Sequence, residues 1–258
     1  MTKNLISSIR NRPKGMTLDP KKFVKMINQS YESERSGTEF KTKRSFSPST
    51  VGYGHGTCAR YWTIAFSGAE FTDTFTATGI ASMENGTMAH ERIQKRIQML
   101  GIVKQHEKEI VSEDPPIRGF ADTIISIKDK DIVVEIKTIK NTNYVQRENE
   151  GQPSDSHLLQ VLIYMYLEKI DEGIVLYENK DSHDLLAVPV EMNEKNKEYI
   201  EYVFNWMREV YAAWKNNEQV KRGYTKSTWA CKSCPVSELC NSMEPTGIKI
   251  DNLKVGVK

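Results

Sequence analysis

Three residues have the types and spacing to carry out hydrolytic chemistry. Asp122 closes the segment Gly119–Phe120–Ala121–Asp122, and Glu135 and Lys137 stand two apart in Val134–Glu135–Ile136–Lys137. Residues two apart in a strand share a face. Glu135 and Lys137 therefore point one way, and Val134 and Ile136 the other. A hairpin between the segments brings Asp122 towards Glu135. Mg²⁺ takes hard oxygen ligands from one or two carboxylates, with water and substrate phosphate completing its shell. Such an ion polarises a phosphate and lowers the pKa of its bound water. An ammonium alongside holds that water or offsets the charge that develops on the phosphate. A routine Glu–Lys pair on an exposed strand is the competing reading of Glu-x-Lys alone. The apolar flanks and the Asp on the preceding strand weigh against it.

These residues need strands, and the period around them supplies strands. Glu107 to Val111, Gly119 to Ile127 and Ile132 to Thr138 are three candidates, with Lys128 to Asp131 as the polar turn between the last two. A helix over Ser82 to Leu100 precedes them, with Ala89, Ile93, Ile97 and Leu100 at helical spacing and Gly101 as the stop. A buried helix over His157 to Glu168 follows. Next come a strand pair (Ile174 to Tyr177, Leu185 to Val190) and an amphipathic helix over about Glu194 to Asn217. Upstream, Asp19–Pro20 starts a helix with Phe23, Met26, Ile27 and Tyr31 as its apolar face. Residues 35–56 read as a loop with basic spikes at Lys41, Lys43 and Arg44, and a helix runs from Cys58 to Phe66. This order predicts a mixed α/β core.

Three outlying groups accompany the central set. His90 lies in Gly86-x-x-x-His90, where a helical His is usually structural, although neutral imidazole is also a competent metal ligand. Gln160 and Tyr164 share a helix face at i and i+4 and interrupt an apolar helix. Tyr164 alone would equally suit a core Tyr with its hydroxyl satisfied. Cys231-x-x-Cys234-x5-Cys240 and the distant Cys58 are the four cysteines. That spacing suits Zn²⁺ or an iron–sulfur cluster and does not choose between them.

Asp122 with Glu135-Ile136-Lys137 resembles the motif of the PD-(D/E)XK nuclease superfamily. Ala121 stands where the name-giving Pro would be. Gly86-x-x-x-His90, Gln160-x-x-x-Tyr164 and the one-plus-three cysteines resemble its RecB-like branch, in particular the CRISPR-associated and AddB-type iron–sulfur exonucleases. The resemblance spans about residues 45–240. It implies a restriction-endonuclease-like core: a mixed central sheet flanked by helices, with a helical iron–sulfur lobe joining the N- and C-terminal segments. It divides the chain into a basic segment 1–44, a helical part 45–100, a nuclease core 101–220 and a cysteine-rich part 221–258.

The resemblance also implies roles. His90, Asp122, Glu135 and the Ile136 carbonyl would hold Mg²⁺ or Mn²⁺. Lys137 would serve catalysis, while Gln160 and Tyr164 would support the site and contact DNA. Cys58, Cys231, Cys234 and Cys240 would hold a 4Fe-4S cluster, with zinc as the alternative. Glu109 and Glu113 both precede Asp122, and the sequence does not choose either as a further ligand. The implied activity is exonucleolytic hydrolysis of single-stranded DNA or free DNA ends, in recombination, repair, or phage or CRISPR DNA processing. A flap endonuclease and a non-catalytic DNA-binding adaptor are the alternatives.

Bulk composition agrees without deciding. Charged residues make up 27% of the 258 and the net charge is +2, too small to announce nucleic-acid binding. Residues 1–60 nevertheless carry 12 Lys or Arg against 4 Asp or Glu, a basic stretch suited to a phosphate backbone or simply a solvated surface. No run reaches the roughly 18 apolar residues of a membrane span, and Met1 to Met16 has no apolar stretch of the secretory kind. A cytoplasmic protein is expected, in which the cysteines stay reduced.

Overall fold

The computed structural model describes residues 17–35, 42–72 and 76–256. The basic residues of 1–16 and Lys41 lie outside them; so does Pro13–Lys14–Gly15, which the sequence suggests as a turn. The chain divides into two compact units, residues 1–39 with 75–84, and 40–74 with 85–258. The first unit holds helix α1 (Pro20–Arg35). Its expected apolar face is largely in solvent, with Phe23, Met26 and Ile27 all exposed.

The second unit is built on one five-stranded sheet. Its strands are β1 (Val103–Glu113), β2 (Pro116–Ile127), β3 (Lys130–Ile139), β4 (Glu172–Asn179) and β5 (Leu185–Glu191), in that spatial order. β1, β2 and β3 form an antiparallel meander, β4 joins β3 in parallel, and β5 returns antiparallel. A parallel step needs a long crossover, and α5 (Asn141–Glu150) and α6 (Asp155–Glu168) supply it. Leu159 to Met165 of α6 are buried without interruption, as befits a helix enclosed on most sides. Val133, Val175 and Tyr177 belong to the same core cluster as α6. On the other face, Ile93 and Ile97 of α4 (Ala77–Gln98) pack with Ile125, Val134 and Ile136. Alternation along β3 thus feeds two cores and leaves Glu135 on the α6 side.

The sheet forks at its centre. β2 pairs with β3 only from Ile127–Lys130 to Thr123–Val134. Beyond that point β2 stays with β1 as far as Pro116, and β3 stays with β4 as far as Ile139. Asp122 and Glu135 are the first residues past the last pair.

Two distant segments form a lobe beside this core. One carries α2 (Pro48–Val51), a 3-10 turn (Gly54–Thr57) and α3 (Ala59–Phe66); the other follows α7 (Glu194–Lys215) and carries α8 (Trp229–Lys232) and α9 (Ser237–Ser242). The buried guanidinium of Arg60 donates to the carbonyls of Val220 and Glu244, both at 2.7 Å. Leu253 N–H donates to Thr57, and Thr72 N–H to Pro235.

Several boundaries differ from expectation. β1 runs from Val103 to Glu113, beyond the expected 107–111, because pairing with β2 carries polar residues along. α4 begins at Ala77 instead of Ser82. The expected loop 35–56 contains α2, with Pro48 at its first turn, and the 3-10 turn. α5 was not expected at all. Tyr144 is its one buried residue, so it carries almost no apolar period.

Candidate active site

The fork frees backbone donors that a regular ladder would consume. Ile136 N–H donates to Asp122 Oδ2 at 2.6 Å, a side-chain bond replacing the lost strand pairing. This bond fixes the Asp122 carboxylate between the diverging strands. His90 reaches it from α4, with Nδ1 3.4 Å from Asp122 Oδ1. Burial works against a charged His90, but the bond to Asp122 and the Asp122 charge outweigh it and raise its pKa.

Glu135 is 1% exposed. Lys137 Nζ and Gln160 Nε2 both donate to its Oε1, each at 2.7 Å. Its Oε2 is buried and has no hydrogen-bond partner. A buried carboxylate oxygen left bare is costly unless something positive meets it. Burial, with the Asp122 charge adding to it, overcomes the pull of Lys137 and pushes the carboxyl up to about 7.

The Gln160 amide lies 3.4 Å from the Tyr164 hydroxyl, one turn along α6. Gly119 lies against that hydroxyl so closely that a Cβ there would come within 2.8 Å of it and 2.9 Å of Pro48 Cδ. The structure therefore brings together His90, Asp122, Glu135, Lys137, Gln160 and Tyr164. Ile136 lies between Glu135 and Lys137 with its side chain fully buried.

Neither Glu109 nor Glu113 joins them. Glu109 is taken by Arg118 Nε at 2.5 Å, and Glu113 ends β1 at the hairpin to β2. The residue missed was Gln94, whose amide donates to the Asp122 carbonyl at 2.8 Å and to Glu107 Oε1 at 2.6 Å. A signal existed: Gln94 is i+4 from His90 and shares its face.

The four cysteines are free thiols lining one cavity, with His55, Tyr61 and Arg222 among its walls. Arg222 also donates to the Cys240 carbonyl at 2.7 Å. Burial raises the Cys58 thiol and pushes Cys234 up to about 12, with the other cysteines adding to the effect. Among the described residues, no three His, Cys, Asp or Glu side chains are close enough to hold a metal ion as they stand. No helix among them is long and apolar enough to cross a membrane.

A family model for the PD-(D/E)XK nuclease superfamily matches residues 17–241. No curated protein matches the chain. Among solved structures it is similar to SSO0001, at 19% identity over 84% of this chain and 96% of that one, with a TM-score of 0.45. It is also similar to LHK-Exo, an alkaline exonuclease from Laribacter hongkongensis, at 14% identity over 73% and 95% of the chains, with a TM-score of 0.49. The complex of LHK-Exo with dAMP matches at 15% identity over 67% and 91%, with a TM-score of 0.47.

Proposed function

The chain belongs to the PD-(D/E)XK nuclease superfamily, and on that premise we propose that it is a Mg²⁺- or Mn²⁺-dependent deoxyribonuclease that cuts single-stranded DNA or free DNA ends exonucleolytically. The observation that carries this is the bare, buried Oε2 of Glu135, a carboxyl that feels the Asp122 charge. Burial disfavours an ionised carboxyl there, whereas a divalent cation would favour it. The donor set of two carboxylates, an imidazole and a backbone carbonyl fits a hard cation.

In this account His90, Asp122, Glu135 and the Ile136 carbonyl would hold the ion. When bound, it supplies Lewis acidity to the scissile phosphate and acidity to a coordinated water. Lys137, already against Glu135, positions the water that attacks phosphorus. Its ammonium also offsets the charge that grows on the non-bridging oxygens as the P–O bond to the leaving group breaks. Gln160 fixes Oε1 of Glu135, which leaves Oε2 as the oxygen that would meet the ion. Tyr164 supports Gln160 and borders the path of the strand.

The four thiols suit a soft or borderline metal centre. Thiolates in this buried cavity would be costly without a cation to stabilise them. We assign Cys58, Cys231, Cys234 and Cys240 to a 4Fe-4S cluster, with zinc as the alternative, that ties residues 45–66 to 221–256.

A time course on end-labelled linear and on circular single-stranded DNA, with Mn²⁺ or with EDTA, tests the activity. Linear DNA degraded from its ends in Mn²⁺ alone is the expected result. Equal cutting of circles would make the enzyme an endonuclease, and no cutting of either substrate would overturn the proposal.

A further inference from the structure

Tyr53 and Trp229 are 54% and 55% exposed, yet their rings meet edge to face with centroids 5.2 Å apart. Large aromatic rings left this open are unusual unless something else covers them. The pair is built in rather than loose. Gly54 has φ +51°, and a Cβ on it would come within 2.7 Å of the Trp229 ring, so the six-membered ring of the indole presses close to the backbone at that point. Thr228 caps the turn that carries Trp229, accepting from Cys231 N–H.

The pair adjoins the site described above. Gly52, next to Tyr53, packs against Ser156 and Leu159 of α6, one turn before Gln160. A groove of about 480 Å³ separates Trp229 from that turn, with Gly52, Gly54, Ser156 and Val255 among its walls. Asp155 is the one acidic side chain lining it. Lys226 and Lys232, three residues to either side of Trp229, are exposed and have no ion pair among the described residues. Aromatic faces flanked by free cations, across a groove from the helix that carries Gln160, match an unpaired strand. Bases stack on the rings while lysines meet the phosphates.

The geometry points to Tyr53 and Trp229 as a base-stacking platform for the single-stranded DNA that the site cuts. This rests on the nuclease reading. It also gives the cysteine lobe a second role. Trp229 is two residues before Cys231 and Tyr53 five before Cys58, so a centre held by these cysteines would also set the platform.

Metal-free binding keeps the test independent of catalysis. Fluorescence anisotropy with the whole protein would compare labelled oligo-dT with an abasic strand of the same length. The wild type should bind oligo-dT more tightly. Trp229→Leu should weaken oligo-dT binding between about fivefold and a hundredfold and leave abasic binding unchanged, with Trp229→Phe restoring most of the loss. Lys226→Gln should weaken both strands alike. Equal binding of the two strands by the wild type, or an equal loss on both in Trp229→Leu, would overturn the platform. If the wild type cuts DNA in Mn²⁺ while either of these holds, the platform fails and the nuclease reading stands. Base-dependent binding without cutting would keep the stacking surface and remove the nuclease reading.

Discussion

The Gln160 amide holds Oε1 of Glu135 at 2.7 Å, and the other carboxylate oxygen is left buried and bare. Gln160 thereby sets which oxygen is left without a partner. Gln160→Leu keeps the bulk but removes this donor, so it should lower kcat by about 10–100-fold, the usual cost of losing a residue that orients a metal ligand. A steady-state assay across Mn²⁺ concentrations checks this. An unchanged metal requirement and rate would show that Gln160 only fills space.

Gly119 matters for room, because a Cβ there would strike the Tyr164 hydroxyl. Gly119→Ala should push Tyr164 off the Gln160 amide and cost activity, and it should cost less in a Tyr164→Phe background, where the added Cβ meets only Pro48 Cδ and the ring carbon Cε1. A double-mutant cycle on kcat/KM reads the coupling. Additive effects would mean the contact is not felt.

A bare buried carboxylate links metal to stability. Mn²⁺ should raise the melting temperature of the wild type, since a ligand that binds the folded state stabilises it. Glu135→Gln should abolish that rise while melting at or above the metal-free wild type, because it removes a buried charge. Differential scanning fluorimetry with and without Mn²⁺ decides. An undiminished metal shift in Glu135→Gln would place the ion elsewhere.

His157 predicts an acid limb. Burial first, then the charges of Lys137 and Arg147, pull its pKa down to about 3, and Nδ1 lies 2.9 Å from the Tyr177 hydroxyl. The folded protein therefore keeps this ring neutral where the unfolded chain, with a pKa of about 6.5, takes up a proton. Stability should be full above about 6.5 and fall as pH drops towards about 3. Urea melts at several pH values should show a shallower fall in His157→Gln. Parallel curves would assign the limb to other groups.

Arg60 ties the two segments of the lobe together. Its guanidinium is 1% exposed and bonds two carbonyls 160 and 184 residues away. Arg60→Ala leaves both carbonyls unpaired and opens a cavity, so it should cost about 2–4 kcal/mol, measurable by urea unfolding. A cost below about 1 kcal/mol would mean that water replaces the guanidinium.

Much of the site was legible because strand alternation is local. Glu135 and Lys137 share a face by spacing alone, and the hairpin turn next to Lys128 delivered Asp122. The i, i+4 rule likewise joined Gln160 to Tyr164. What sequence could not show was the fork. Ladder pairing stops at Thr123–Val134, and Ile136 N–H beyond the stop bonds Asp122 instead. Gln94 was missed because its one local sign was the i, i+4 spacing from His90, while the Asp122 carbonyl it bonds leaves no mark in residue type. α5 was missed because an exposed helix with one buried Tyr has no apolar period to read.

The most direct measurement concerns Lys137. Lys137→Ala should keep the circular dichroism and cooperative melt of the wild type and still gain stability from Mn²⁺. On end-labelled single-stranded DNA in Mn²⁺ its cutting should fall at least 100-fold. A folded Lys137→Ala protein that digests the strand at the wild-type rate would contradict the account.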